Sequence, residues 1–298
     1  MQRHITLGLL ISLATAFVIG HIYFNLQLIE SITPDVSVAK PTLKKPDFKA
    51  IPAGRERKAA FFAYLTPFIE AENQKIASLR SKIAKGNMKP AELEQLAKRY
   101  RIKTTDTKAI EQQLLMKADV IPPSLVLTQA AIESAWGTSR FAVKGNNYFG
   151  QWCFKKGCGL VPNQRIEGKN HEVRVFKSPQ DSVSAYVLNL NSHPAYKELR
   201  QARAQLAQQG AAPSGCYLAT GLESYSEKGM AYVNTLKKMI RSNRLEQDPS
   251  GHCKPIQVAT PQPEPETTDV ANQDSAPETG DVTREAASSS EDGIVPST

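Results

Sequence analysis

Histidine and cysteine are scarce in this chain of 298 residues, with five and four respectively. No H-x3–5-H pair accompanies the cysteines, and their spacing is not that of a zinc ribbon, so the sequence argues against a Cys/His metal site. No Lys/Arg-rich run interleaved with aromatics is present, which removes the usual footprint of a nucleic-acid binder; no specific nucleic-acid partner is expected. No internal repeat is found, which argues against a solenoid. The length allows one or two domains with an ample core.

Charge is present, but unevenly. The net charge is +8, yet from Lys254 onward there are two basic and nine acidic side chains, about −7, leaving about +15 on the first 253 residues. A basic body of this kind either presents solvated helix faces or suits an anionic polymer such as anionic lipid or cell-wall glycan. Its oligomeric state is not legible.

The N-terminus carries a long apolar run. Arg3 and His4 precede Ile5–Phe24, about 20 residues without a formal charge. About 20 helical residues cross the ~30 Å of bilayer hydrocarbon. We expect residues 1–24 to be an uncleaved signal anchor, single-pass in a bacterial inner membrane with the body in the periplasm. Cleavage is the alternative, since Ala14-Thr15-Ala16 resembles a cleavage site. Either way the body is exported, and in an oxidising compartment the even set Cys153, Cys158, Cys216 and Cys253 favours disulfides. Cys153 and Cys158 bracket a short loop that a bridge can close, and Cys216 and Cys253 would then pair. Four cysteines allow three connectivities, and the sequence does not choose among them.

Residues 25–55, rich in Pro, Lys and Val, read as an extended tether. Residues 56–118 read as a helical extension. It starts with an amphipathic helix over Arg57–Ile83, with Pro67 a start or a kink, followed by short helices over Pro90–Arg101 and Thr107–Ala118. Leu160–Ile166 and His171–Phe176 read as two strands joined through Glu167-Gly168-Lys169-Asn170, with Val173 and Val175 alternating against Glu172 and Arg174. Ser178-Pro179-Gln180-Asp181 restarts helix with a capping serine and a proline at the first turn. Helices follow over Pro194–Gln208 and Gly229–Asn243. Residues 254–298 have too little apolar content to order themselves and read as a disordered acidic tail.

The stretch Ile121–Gln151 organises the rest. Pro122-Pro123 opens a helix that is apolar on most sides through Trp136, the mark of a buried helix, with Gly137 as its C-terminal stop. Glu133 is the one carboxylate on it, and its same-face neighbours are Gln129, Ala130, Trp136 and Gly137. An apolar setting and a helix C-terminus both disfavour the charged form, which raises the pKa toward what a general acid needs near neutral pH. A Glu paired with a distant cation or capping a backbone amide is the bland alternative.

Gln129–Gly137, followed by Asn146-Asn147-Tyr148-Phe149-Gly150, resembles the catalytic helix and following loop of the glucosaminidase family. These are cell-wall hydrolases of glycoside hydrolase family 73, also described as mannosyl-glycoprotein endo-β-N-acetylglucosaminidase-like. The loop between Cys153 and Cys158 and the run Asn189-Leu190-Asn191-Ser192-His193-Pro194-Ala195-Tyr196 are similar to its bacterial Bax-type branch. The resemblance covers about residues 120–243. It implies a mainly α, lysozyme-like domain over 119–253 with a small inserted β-hairpin lobe, acting on the peptidoglycan glycan strand by cleaving the β-1,4 bond on the GlcNAc side. It places the general acid on Glu133, a second carboxylate on Glu167 (with Glu172 as rival), and a groove tyrosine on Tyr225. Asn147 would hold an acetamido group, and Tyr148, Phe149 and Trp152 would contact sugar, with Trp152 the better platform and Phe149 more often core. No metal or organic cofactor is implied. The rival readings are a muramidase or lytic transglycosylase on the same fold, and a non-catalytic glycan-binding scaffold.

Overall fold

The computed structural model describes residues 41–163 and 171–256. The expected anchor over Ile5–Phe24, most of the tether, Glu167 at the tip of the expected hairpin, and the acidic tail from residue 257 lie outside the described residues. Among those described, no helix is long and apolar enough to cross a membrane.

The described chain is mainly helical. α1 spans Arg55–Ala84, α2 Pro90–Arg99, α3 Thr107–Lys117, α4 Pro123–Glu133 and α5 Arg140–Gly145. After three short strands come α6 Pro179–Ser192, a 3-10 turn Pro194–Tyr196, α7 Lys197–Gln208, α8 Gly215–Leu218, a 3-10 segment Ala219–Tyr225 and α9 Met230–Ser242. α4 is central, packed against α1, α8 and α9. Leu125, Val126, Leu127, Ala130 and Ala131 are all buried on it, so its lack of a polar face is explained by neighbours on several sides.

α1 forms where the three-and-four spacing of apolar residues predicts it. Phe61, Leu65, Phe68, Ile69 and Ile76 face inward, and Pro67 sits inside the helix. These residues share one core with α4, α6 and α9, so α1 packs directly on the body that carries α4. Only its far end, around Ile83, joins Leu93, Tyr100, Ile110 and Leu114 of the α2–α3 region in a separate smaller core.

The body also starts earlier than the expected boundary of the tether. Phe48 is buried against Phe61 and Tyr64, with ring centroids 5.5 and 5.7 Å apart. The Lys45 ammonium donates to the carbonyls of Ala142 and Val143 at 3.0 and 2.8 Å, and to Asn146 Oδ1 at 2.9 Å. A charged lysine capping the end of α5 and a phenyl ring in the core fix this strap.

The inserted lobe differs from the expected two-stranded hairpin. β1 (Trp152–Cys153), β2 (Gly159–Leu160) and β3 (Glu172–Arg174) form an antiparallel sheet in the order β1-β3-β2. Trp152 pairs with Val173 and Leu160 also pairs with Val173, so β3 is the shared middle strand. The alternation expected around Val173 is broken as well. β3 ends at Arg174, leaving Val175 exposed, while Glu172 is buried because two backbone N–H groups draw its carboxylate inward: Gly157 at 2.9 Å and Gly159 at 2.8 Å. Those amides belong to the loop closed by the Cys153–Cys158 disulfide, and Cys216 pairs with Cys253, which fixes one of the three possible connectivities.

Two polar knots lock the helices. Arg203, almost fully buried, donates through Nη1 to Asn191 Oδ1 at 2.7 Å and to the carbonyls of Asp119 and Val120. Its Nη2 reaches the carbonyls of Met116 and Lys117, so one guanidinium gathers the whole turn from α3 to α4. Glu246 accepts from Ser124 Oγ at 2.6 Å, Ser214 Oγ at 2.8 Å and the Gly215 amide at 2.7 Å, tying the chain after α9 to the starts of α4 and α8.

Candidate active site

Glu133 is the last residue of α4. The helix stops four residues before the expected glycine, Gly137. The Trp136 amide donates back to the Ala131 carbonyl at 2.8 Å and the Ala135 amide to Ile132 at 3.3 Å, the paired bonds of a Schellman end with alanine in the left-handed position. Ala135, Trp136 and Gly137 then have φ of 49°, 58° and 78° in succession. Left-handed backbone costs alanine and tryptophan about 1–2 kcal/mol each, so this turn is held by its surroundings. Ser134 Oγ accepts the Gly137 amide at 2.9 Å. Trp136, thrown off the helical face where periodicity put it, packs edge-on to Phe61 and Phe62, with Lys58 5.2 Å from its ring. A Cβ on Gly137 would lie 2.5 Å from Phe48 Cδ2, so both φ and space require glycine there.

A directed hydrogen-bond chain ends on the Glu133 carboxyl. Tyr186 Oη donates to Gln129 Oε1, Gln129 Nε2 donates to Tyr232 Oη at 3.0 Å, and Tyr232 Oη donates to Glu133 Oε1 at 2.8 Å. Glu133 Oε2 has no partner among the described residues and is the oxygen left to carry a proton. Burial pushes the carboxyl from the ordinary 4.5 up to about 7, opposed by the Tyr232 hydrogen bond and by the charge of Lys228. Desolvation therefore wins over both stabilising contacts, the direction expected from an apolar helix carrying one acid.

The aromatic wall behind the acid is built from residues scattered in sequence. Tyr225 stacks on Tyr232 with centroids 5.6 Å apart and planes 5° from parallel, and Tyr196 lies 5.8 Å from Tyr225. Phe149 stacks on Tyr186 at 3.9 Å. Burial raises the pKa of Tyr186, Tyr225 and Tyr232, with the Glu133 charge adding to each, so these phenols stay neutral donors at ordinary pH.

The structure sorts the other expected site residues. Tyr225 is buried, with its hydroxyl on the Phe149 carbonyl at 3.3 Å, so it backs Tyr232 and does not line an open groove. Asn147 is buried, and its amide is consumed by local backbone. Nδ2 donates to the carbonyls of Gln151 and Arg174 at 2.8 and 2.9 Å, and Oδ1 accepts the Gln151 amide at 3.1 Å, leaving nothing for an acetamido group. Tyr148 and Phe149 are fully buried core residues, offering no face to a sugar. Trp152 alone of these four keeps partial exposure, stacked on His171 at 4.1 Å. Both oxygens of Glu172 serve the disulfide loop, which leaves it no free oxygen for a second catalytic role.

Sequence reasoning missed Tyr232, Tyr186 and Lys228. The available signal was Tyr232 itself, since a tyrosine on the inner face of an amphipathic helix needs a partner for its hydroxyl.

A mainly helical body with a small β lobe, carrying a glutamate of raised pKa at the end of a buried helix, fits a lysozyme-like helical fold. Comparison with known proteins agrees. The family profile described as mannosyl-glycoprotein endo-beta-N-acetylglucosaminidase matches residues 109–245. The chain is 40% identical over 208 residues to Protein bax of Escherichia coli (strain K12), covering 67% of this chain and 74% of that protein. No solved structure matches. The chain belongs to the glucosaminidase family, in its Bax-type branch.

Proposed function

We propose that the protein is an exported peptidoglycan hydrolase that cleaves the β-1,4 bond on the GlcNAc side, with Glu133 as general acid. The observation that carries this reading is the Glu133 carboxyl held near pH 7 by burial while Tyr232 occupies only one of its oxygens. At neutral pH a substantial fraction holds a proton on Oε2, ready for the glycosidic oxygen. Once the proton leaves, the Tyr232 hydroxyl hydrogen-bonds the new carboxylate, and the sugar ring passes through an oxocarbenium-like state. Trp152 is the proposed sugar platform, Glu167 the proposed second carboxylate, and Tyr225 supports the acid through Tyr232. The two disulfides fit an oxidising envelope compartment, and the proposed anchor at residues 5–24 would keep the body beside the membrane.

The test is mass analysis of glycan fragments after incubation of sacculi with the purified protein. Fragments with reducing GlcNAc ends support the reading, and Glu133→Gln is expected to lower turnover about 10²–10⁴-fold. Products with 1,6-anhydro-MurNAc ends would instead assign a lytic transglycosylase. Absence of turnover in wild type and variant alike would leave a glycan-binding scaffold.

A further inference from the structure

The run Asn189–Tyr196 reaches the acid site only through Tyr196 in the aromatic wall, and through Ser192 and Pro194 it builds one wall of a separate cavity of about 390 Å³. Ser192 and Pro194 come from this run, Arg101 and Lys117 from the α2–α3 side, and Lys197, Arg200 and Gln201 from α7. Four cationic side chains line it, and no acidic side chain does among the described residues. None of the residues hydrogen-bonded to Glu133, directly or through Tyr232 and Gln129, lines this cavity.

Arg200 is its most specific feature. The residue is buried, and its Nη1 donates to the carbonyls of Leu190 at 2.8 Å and His193 at 2.9 Å, which fixes the plane of the guanidinium. Nε and Nη2 make no hydrogen bond with any described residue. That edge offers two parallel N–H donors, the fork that a carboxylate fills bidentately. The field in the cavity is positive enough to act on its neighbours. Arg200 and Arg101 both add to the burial that lowers the pKa of Lys117 and of His193. Around this fork stand neutral hydrogen-bonding groups, Gln113, Gln201 and Ser192, and apolar surface from Pro194 and the half-exposed Met116. Amide-bonding and apolar groups beside a carboxylate fork match a peptide better than a bare inorganic anion or a lipid phosphate.

We propose that this cavity binds a short peptide through a free carboxylate seated on the Nε–Nη2 edge of Arg200, with Lys197 at the rim. The peptide stems of a cell-wall glycan carry such carboxylates; that source rests on the function proposed above, whereas the site itself does not. The test is calorimetric titration of the full chain, carrying Glu133→Gln, with the tripeptide Ala-Glu-Ala bearing free carboxylates. Its fully amidated form, inorganic phosphate and anionic phospholipid vesicles serve as comparison probes. Saturable binding of the acidic peptide is expected with a dissociation constant on the order of 1 mM or below, and at least about tenfold weaker binding of the amidated form.

Lys197→Glu, an exposed change at a helix start where an acid is favourable, should weaken the acidic peptide about fivefold without lowering the melting temperature. Arg200→Lys, which keeps the charge but loses the fork, should weaken it by about tenfold or more. Equal affinity for the amidated peptide, a preference for phosphate or vesicles, or indifference to Lys197→Glu would each overturn the proposal. Because binding is read in a variant lacking the acid, failure of the glycosidase reading would show in product analysis and not in this titration.

Discussion

Replacing Glu133 by glutamine should make the protein more stable, and increasingly so as the pH rises. In the folded state the carboxyl titrates at about 7, against 4.5 for an ordinary glutamate. The folded state therefore holds the proton more tightly than the unfolded chain. The stability linked to this proton is fully present below about pH 4.5, is lost progressively as pH rises, and is gone above about pH 7. At about 1.4 kcal/mol per pH unit the full difference is about 3 kcal/mol. Glu133 is half-buried, and solvent near the free oxygen reduces this to about 2 kcal/mol. Glutamine keeps the shape and can accept the Tyr232 hydrogen bond, but never ionises. The melting temperature of Glu133→Gln minus that of wild type should grow by about 4–8 °C between about pH 5 and pH 8 for a body of this size. Differential scanning calorimetry of both proteins across that range reads it directly. A difference independent of pH, or one favouring wild type at alkaline pH, would mean that Glu133 is a stabilised anion. The proposed role as proton donor would then fall.

Four further outcomes are expected. Tyr232→Phe removes the donor that favours the carboxylate, so the acid stays protonated to higher pH and the alkaline limb of kcat/KM moves up; the Gln129 amide left without its acceptor should cost about 1–3 kcal/mol in a denaturant melt. Lys228→Gln removes a nearby positive charge and should shift the same limb upward by a smaller amount, an effect that vanishes at high salt. Arg203→Met leaves the carbonyls of the α3–α4 turn without donors and should lower unfolding free energy by about 3–5 kcal/mol. Replacing Cys216 and Cys253 together by serine opens a loop with a sequence separation of 37 and should lower stability by about 2–4 kcal/mol, measured by urea unfolding.

Much of this was legible in the sequence where a residue contradicted its local pattern. Glu133 stood out because it was the single carboxylate in an apolar helix, and Gln129 followed as its neighbour one turn back. The Ser178 cap was foreseeable from local chemistry, and the even cysteine set pointed to disulfides while leaving their connectivity to the fold. What failed was inference from composition. The Asn-Asn-aromatic loop looks like a binding loop because it is rich in groups that can hydrogen-bond and stack. In the fold, Asn147 turns those groups on its own backbone and Tyr148 and Phe149 fill the core. Periodicity also placed Trp136 on the acid's helical face. It could not register that the helix ends at Glu133, because Schellman closure at an alanine depends on tertiary contacts that no short window contains. Tyr232 lies 99 residues from its carboxylate, and nothing local marks that pairing.

The strap ahead of α1 gives the acid a mechanical neighbour. Phe48 rests on Gly137, four residues past Glu133, and Lys45 is bonded to the carbonyls at the end of α5 just beyond. Phe48 and Lys45 thus brace, from the chain ahead of α1, the left-handed turn that follows Glu133 and the end of the helix beyond it.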